Sequence, residues 1–284
     1  MFKVDFFIIG AMKSGTTALY DLLKHSPEVS MSAVKEPAHF LLKENYELGA
    51  PLFEPKWWDV DSYEALFEPG KLCGEASIGY SQLPFTPGVA RRIFSYNPDA
   101  KFIYIVRNPL DRLVSHYNFS VRHWPDWPPL KNAVIQKPAY LSISDYATNL
   151  GCYLDRFPKE NVLVLISERF RNDLRAGTQS LEAFLGIKPI EIRTKLESNV
   201  TPDGLRPPRL TSRALDQLRR RKYWKTARGL VPKSFETPAK ALLYKRAVQP
   251  AGRADVPEAV VEYLSVLAQR FRHLIKDPIP EWDI

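Results

Sequence analysis

A chain of 284 residues, 45% apolar and 25% charged, has the composition of a soluble globular protein and is long enough to bury one large α/β core, or at most two small ones. No uncharged apolar run approaches the roughly 18 residues of a membrane-spanning helix, which argues against a transmembrane protein. A formal charge of +8 points toward an anionic partner without choosing among a phosphate-bearing ligand, nucleic acid, an acidic polymer or a membrane surface.

The first residues, Met1-Phe2-Lys3-Val4-Asp5, run straight into the apolar stretch Val4–Ile9, which reads as a buried parallel strand closed by Gly10 and leaves no room for a secretory leader. Thr16 to Lys24 places Leu19, Leu22 and Leu23 on one helical face, with His25-Ser26-Pro27 as a stop. Phe102–Val106 is a second buried strand, followed by Arg107-Asn108-Pro109 and a helix from Leu110 to about Val121. Residues 122–140 carry Trp124, Trp127 and several prolines and predict a structured loop or lid. Val162–Ile166 is a third strand, with a helix around Ser180–Leu185 ending at Gly186. Residues 200–254 mix prolines with a basic cluster, Arg206, Arg209, Arg213, Arg219 to Lys222, Lys225 and Arg228, against Asp216. The last helix is marked by Asp255 as a cap, Pro257 in its first turn, and Val260, Val261, Leu264, Leu267, Phe271 and Leu274 at helical spacing. Strands alternating with helices predict a three-layer α/β/α fold around a central parallel sheet. Cys73 and Cys152 form neither a disulfide framework nor a zinc site; they read as reduced, buried thiols, and with the absent leader they predict a cytoplasmic protein.

The segment Gly10-Ala11-Met12-Lys13-Ser14-Gly15-Thr16-Thr17 lies between the first strand and the first helix. That context aims backbone N–H groups and a helix N-terminus at an anion. Gly10 and Gly15 have the spacing of a Walker A loop, but Thr16 stands where that loop needs its lysine, and the lysine appears earlier, at Lys13. The displacement weakens the case for a Mg-nucleoside triphosphate site. The segment resembles the 5′-phosphosulfate loop of sulfotransferases that use 3′-phosphoadenosine 5′-phosphosulfate (PAPS). The resemblance implies that Lys13, Ser14, Gly15, Thr16 and Thr17 hold the 5′-phosphosulfate, with Lys13 stabilising charge on the leaving phosphate.

Val106-Arg107-Asn108-Pro109 through Ser115-His116-Tyr117 is similar to the 3′-phosphate segment of the same family, which implies that Arg107 and Ser115 hold that phosphate. Asp111 and Arg112 read as a helix-start charge and a surface charge. Val34-Lys35-Glu36-Pro37-Ala38-His39-Phe40 resembles the Lys-Glu-x-x-x-Phe segment of heparan-sulfate-type enzymes, making Glu36 the candidate base, with Lys35 binding sulfonate or tuning Glu36, and His39 the rival base. Gly74-Glu75-Ala76-Ser77-Ile78-Gly79-Tyr80 falls where those enzymes carry Glu-Lys-(Thr/Ser)-Pro-x-Tyr. Ser77 and Tyr80 are candidate cleft residues, and Ala76 in place of the lysine puts a heparin-like acceptor in doubt. Trp124 is a candidate acceptor contact. Arg206 and Arg209 are the nearest matches to a late basic loop on the 3′-phosphate. Tyr153 and Pro280-Glu281-Trp282 extend the likeness across nearly the whole chain.

The resemblance thus implies a single sulfotransferase domain over 1–284, with a P-loop-like fold, PAPS as donor, the bisphosphate PAP as product, and a small-molecule or glycan acceptor. The sequence carries no evident Walker B aspartate or metal-ligand cluster, so a reaction without metal is expected. Two other readings are a P-loop small-molecule kinase, which lacks its lysine after Gly15, and a nucleic-acid-binding module on the 206–228 cluster, which no recognised motif supports.

Overall fold

The computed structural model describes residues 2–42, 59–124, 127–192 and 250–284. The basic cluster 206–228, with Arg206 and Arg209, lies outside the described residues, as does the stretch 200–249 of the second expected irregular region. In chain order the strands are β1 (Phe6–Gly10), β2 (Val29–Met31), β3 (Leu72–Ala76), β4 (Lys101–Val106) and β5 (Val162–Ile166). They form one parallel sheet in the order β2-β3-β1-β4-β5.

Side-chain alternation along the strands splits the core into two layers. Phe7, Ile9, Phe102, Tyr104 and Val106 face one side, and Phe6, Ile8, Ile103, Ile105 and Leu165 the other. Helix α1 (Thr16–Leu23) covers the second face with Leu19, Leu22 and Leu23. Among the described residues two further α-helices lie before β4: α2 (Val60–Glu64), opened by the Asp59 carboxylate on the Ser62 N–H, and α3 (Val89–Tyr96), which puts Val89, Ala90 and Ile93 on the first face. Each such aromatic or branched side chain, fully buried, contributes about 1.5–3 kcal/mol before entropy is counted.

Helix α4 spans Pro109–His123, with Asn108 capping the Leu110 and Asp111 N–H groups. The expected lid at 122–140 is largely helical: α4 extends into it, α5 covers Leu130–Gln136, and α6 begins at Ala139 and ends at Ser142. Pro129 and Pro138 sit immediately before α5 and α6, where a missing N–H costs no helical hydrogen bond, so they open helices rather than break them. Helices α7 (Tyr146–Leu154), α8 (Ser167–Asn172) and α9 (Leu174–Leu185) follow, and Gly186 closes α9 in the left-handed conformation as expected.

The last helix, α10 (Glu258–Ile275), starts after Pro257. Asp255 does not cap it. Its carboxylate instead accepts the Gly252 N–H at 2.7 Å and closes a short 3-10 turn upstream, because Val256 and Pro257 separate it from the helix. Beyond α10, Trp282 packs on Phe271 with stacked rings 5.9 Å apart, and Arg169 grips Asp277 and Glu281 through its guanidinium fork. Arg112 also departs from expectation: it is 0% exposed rather than a surface charge. Its Nε donates to Ser144 Oγ at 2.7 Å and its Nη2 to the Tyr140 carbonyl, so the guanidinium cross-links α4 to α6 and the turn after it. Cys73 is buried and Cys152 half-buried; neither is in a disulfide, and burial pushes both thiols up to about 11.

Candidate active site

The chain crosses from β1 to β2 and β3 on one side and reaches β4 and β5 on the other, so β1 and β4 flank the point where the winding reverses. Ligands in open parallel sheets bind outside the carboxyl ends of strands at such a point. The Gly10–Thr17 segment leaves β1 there, and Arg107 leaves β4.

Gly10 is required by space and by dihedral. Its φ is 148°, and a Cβ would lie 2.1 Å from Ser81 Oγ. The Ala11 N–H donates to the Ile105 carbonyl at 2.6 Å, folding the loop over β4. Gly15, at φ 115°, precedes α1 and supplies no side-chain cap, so the first-turn N–H groups keep their outward potential. Ser14 is buried, and its Oγ makes no well-formed hydrogen bond, with the Tyr146 hydroxyl, which donates to the Arg107 carbonyl at 2.8 Å, as its polar neighbour; Arg107 Nε is buried without a partner. Groups of this kind are costly unless something satisfies them.

Positive charge gathers at the same place. Burial, then the Arg122 and Arg107 guanidinium groups, pull the Lys13 ammonium below its usual range. Burial and Arg171 do the same to Arg107, only partly opposed by Asp111 and Glu168. Arg107 Nη2 is 3.8 Å from Asp111, whose carboxylate is taken up chiefly by Arg253 in two bonds of 2.7 and 3.0 Å. Ser115 lies four residues beyond Asp111 and therefore on the same face of α4, one turn on. Glu168 accepts the Asn108 N–H at 3.0 Å and the Trp282 indole N–H at 3.1 Å, tying the Arg107 turn to the C-terminal segment. Arg122, Arg171 and Arg253 carry no motif that marks them in the sequence; only folding brings them here. Arg253 also comes from late in the chain, and its guanidinium is held by Asp111 and Asp283.

Residues 35–40 hang from the end of β3. The Glu36 N–H donates to the Ala76 carbonyl at 3.0 Å. One Glu36 carboxylate oxygen accepts the Ile78 N–H at 2.7 Å, and the other is paired with Lys35 Nζ. Burial pushes the Glu36 carboxyl above its ordinary value, against the pull of Lys35 and the Ile78 N–H. Ile78 packs with Met12 and Ile143, and Phe119 joins this cluster with its ring centroid 4.5 Å from Lys13 Nζ. The lysine loop and Ile78, whose N–H holds the Glu36 carboxylate, thus share one apolar wall.

The other predicted residues fall differently. His39 is half-buried and lies flat on the Tyr63 ring, centroids 4.4 Å apart at 9°. Ser77 and Tyr80, expected in the cleft, are buried beneath the loop: Ser77 Oγ accepts the Ala38 N–H at 3.1 Å and the Tyr80 hydroxyl accepts the Phe40 N–H at 3.2 Å. Trp124 is 38% exposed, next to Trp127 at 5.1 Å.

The family profile described as sulfotransferase domain matches residues 3–201. Human heparan sulfate glucosamine 3-O-sulfotransferase 6 is 29% identical over 192 residues, 64% of this chain and 52% of that protein. Mouse heparan sulfate glucosamine 3-O-sulfotransferase 3A1 is 28% identical over 192 residues, 64% of this chain and 46% of that protein. The chain therefore spans about half the length of these curated relatives. Among solved structures, a sulfotransferase from Alicyclobacillus acidocaldarius superposes over 100% of both chains with a TM-score of 0.66 at 21% identity, a likeness of fold. With a profile covering most of its length and a shared fold, the chain belongs to the sulfotransferase family.

Proposed function

We propose that the protein transfers a sulfuryl group from PAPS to a hydroxyl or amine, with Lys13 as the principal electrostatic catalyst and Glu36 as general base. The observation that carries this reading is the positively charged edge at the carboxyl ends of β1 and β4: the buried Ser14 Oγ, without a well-formed hydrogen bond, and the unpartnered Arg107 Nε, beside a Lys13 ammonium repelled by Arg122 and Arg107. A ligand with phosphate oxygens at two ends fits that demand. Lys13, Ser14 and the first-turn N–H groups of α1 would hold a 5′-phosphosulfate, and Arg107 with Ser115 a 3′-phosphate.

The donor supplies a sulfuryl group carried on a phosphate leaving group. Lys13 faces the negative charge that grows on that phosphate, and the fixed cations act without reorganising. Glu36, held by the Ile78 N–H, accepts the acceptor's proton. Its burial raises its basicity, and Lys35 and the Ile78 N–H pull the other way, toward the carboxylate. Protein cations supply the neutralisation that a metal would otherwise bring, so the reaction is proposed to be independent of metal.

For the acceptor, two observations support an uncharged compound with a flat, apolar ring face, either a pyranose or an arene. A run of rings leads outward from Lys13: Phe119 to His123 at 4.0 Å, His123 to Trp124 at 5.9 Å, and Trp124 to Trp127 at 5.1 Å. Ala76 stands where heparan-type enzymes are expected to place a lysine.

Calorimetric titration with PAP in EDTA, beside ATP with Mg²⁺, tests the donor. Metal-independent binding of PAP, much tighter than ATP, supports the reading. A clear preference for Mg-ATP replaces it with phosphoryl transfer.

A further inference from the structure

β3 places a glutamate in the middle of a buried strand, and the proposed donor site makes no use of it. Glu75 is 0% exposed, and neither of its carboxylate oxygens has a well-formed hydrogen bond. The hydroxyls of Tyr80, Tyr63 and Ser77 face it. Two of them already accept a backbone N–H, Tyr80 from Phe40 and Ser77 from Ala38, so each has its own hydrogen left to donate. The Tyr63 hydroxyl is buried with no other partner, and its ring supports His39. Three consecutive residues, Ala38, His39 and Phe40, are thereby connected to one carboxyl through three hydroxyl-bearing side chains.

The loop so connected needs support. Glu36 has φ 62° and Ala38 φ 55°, left-handed conformations that a side chain disfavours. Arg92 adds one further tie, donating from Nε to the Phe40 carbonyl at 2.7 Å.

We propose that Glu75 is a positioning residue for this loop: its carboxyl gathers the Ser77, Tyr63 and Tyr80 hydroxyls and, through them, fixes Ala38, His39 and Phe40 so that Glu36 is presented to the acceptor. The inference rests on reading Glu36 as the base.

The charge state follows from the surroundings. Burial pushes the Glu75 carboxyl up to about 7; the three hydroxyls oppose this, and the neighbouring Glu36 charge adds to it. Tyr96 and Tyr153 also feel Glu75, although burial is what chiefly raises both phenols, followed by Glu64 at Tyr96 and Cys152 at Tyr153. Glu36 has Lys35 and the Ile78 N–H to stabilise an anion, and Glu75 has no cation beside it among these partners. The cation and N–H beside Glu36 favour its anion, whereas burial without such a cation favours the protonated form of Glu75. Ionisation of Glu75 puts a second anion under the loop.

The test uses the full chain with PAP bound, labelled with 13C at the glutamate side-chain carboxyl, as wild type, Glu75→Gln, Glu75→Ala and Glu36→Gln. Wild type is expected to show one glutamate resonance titrating near pH 7. That resonance disappears in Glu75→Gln and moves to lower pH in Glu36→Gln, where the like charge is gone. Amide exchange of Ala38 and Phe40, corrected for intrinsic rates, is expected to quicken about tenfold above that pH in wild type, to show no such step in Glu75→Gln, and to be fast throughout in Glu75→Ala. Tyr80→Phe, which removes one connection and keeps the carboxyl, releases Phe40 more than Ala38 and replaces Glu75→Ala if that variant does not fold. A set of glutamate titrations unchanged in Glu75→Gln, or exchange at Ala38 and Phe40 indifferent to residue 75, overturns the proposal. Undiminished PAPS turnover in Glu36→Gln would instead remove the base role and leave the exchange result standing.

Discussion

The Glu36 carboxylate accepts the Ile78 backbone N–H at 2.7 Å across 42 residues of chain, and the Ile78 side chain packs on Met12, the neighbour of Lys13. The candidate base is thereby fixed to the same short segment that walls the candidate electrophilic lysine. A shift in either loop reaches the other through one residue.

Lys13→Ala removes the cation nearest the proposed leaving group. We expect turnover to fall about 100- to 1000-fold. PAP affinity should fall less, because Arg107, Ser115 and the start of α1 remain. Single-turnover kinetics beside calorimetry separates the two effects, and equal losses in both would show Lys13 to be a binding residue only.

Glu36→Gln keeps the shape and the hydrogen bond from Ile78 but cannot take a proton. PAP binding should be unchanged, while turnover falls on the order of 100- to 10,000-fold. Because burial raises the Glu36 carboxyl, the acid limb of the wild-type pH–rate profile should lie above the range of an ordinary glutamate. Rates should rise as pH increases through that limb, and the limb should vanish in the variant.

Glu75 predicts a pH dependence of stability. Its carboxyl stands at about 7 in the folded chain against 4.5 for an unperturbed glutamate. The folded state therefore holds the proton more tightly than the unfolded one. The stability gained by this is fully present below the unfolded value and is lost as pH rises through the folded value, by about 3 kcal/mol in total. Thermal melts of wild type should drop between pH 5 and pH 8, and Glu75→Gln should flatten that drop. Parallel curves for the two proteins would contradict the assignment.

Arg112→Lys keeps the charge but loses the fork that reaches Ser144 and the Tyr140 carbonyl. It should destabilise the chain by about 2–4 kcal/mol, read from denaturant midpoints, since it leaves buried partners unpaired.

Gly74→Ala tests β3. A Cβ there would lie 2.0 Å from the Phe6 ring on the neighbouring strand β1. A loss of about 1–3 kcal/mol is expected, with Phe6→Leu in the same chain restoring part of it.

Much of the donor side is legible in the amino-acid sequence. Gly10, Lys13 and Gly15 sit in one local turn between a strand and a helix, and Arg107 ends another strand; the chemistry of such turns is set by residues adjacent in sequence. β1, β4 and β5 are equally plain, because strands buried on both faces read as unbroken apolar runs. β3 escapes that reading because Gly74 and Glu75 interrupt its apolar run, and each is there for a tertiary reason, the Phe6 ring and the hydroxyl cluster. The stretch 122–140 reads as a lid, but its described residues are largely helical, because prolines open helices as well as break them.

The sequence by itself determined a parallel α/β fold and a glycine-bounded turn carrying Lys13 between strand and helix, and its family resemblance singled out Arg107 as a candidate second phosphate contact. Only the tertiary structure decided which of the candidate side chains stand at the strand ends and which are buried beneath them. Ser77, Tyr80 and Arg112 carry polar groups that sequence position alone assigns to a cleft or a surface, yet all three are buried with their hydrogen bonds turned inward. Burial is a property of what packs on a residue, and for these three the packing comes from segments roughly 30 to 40 positions away in the chain.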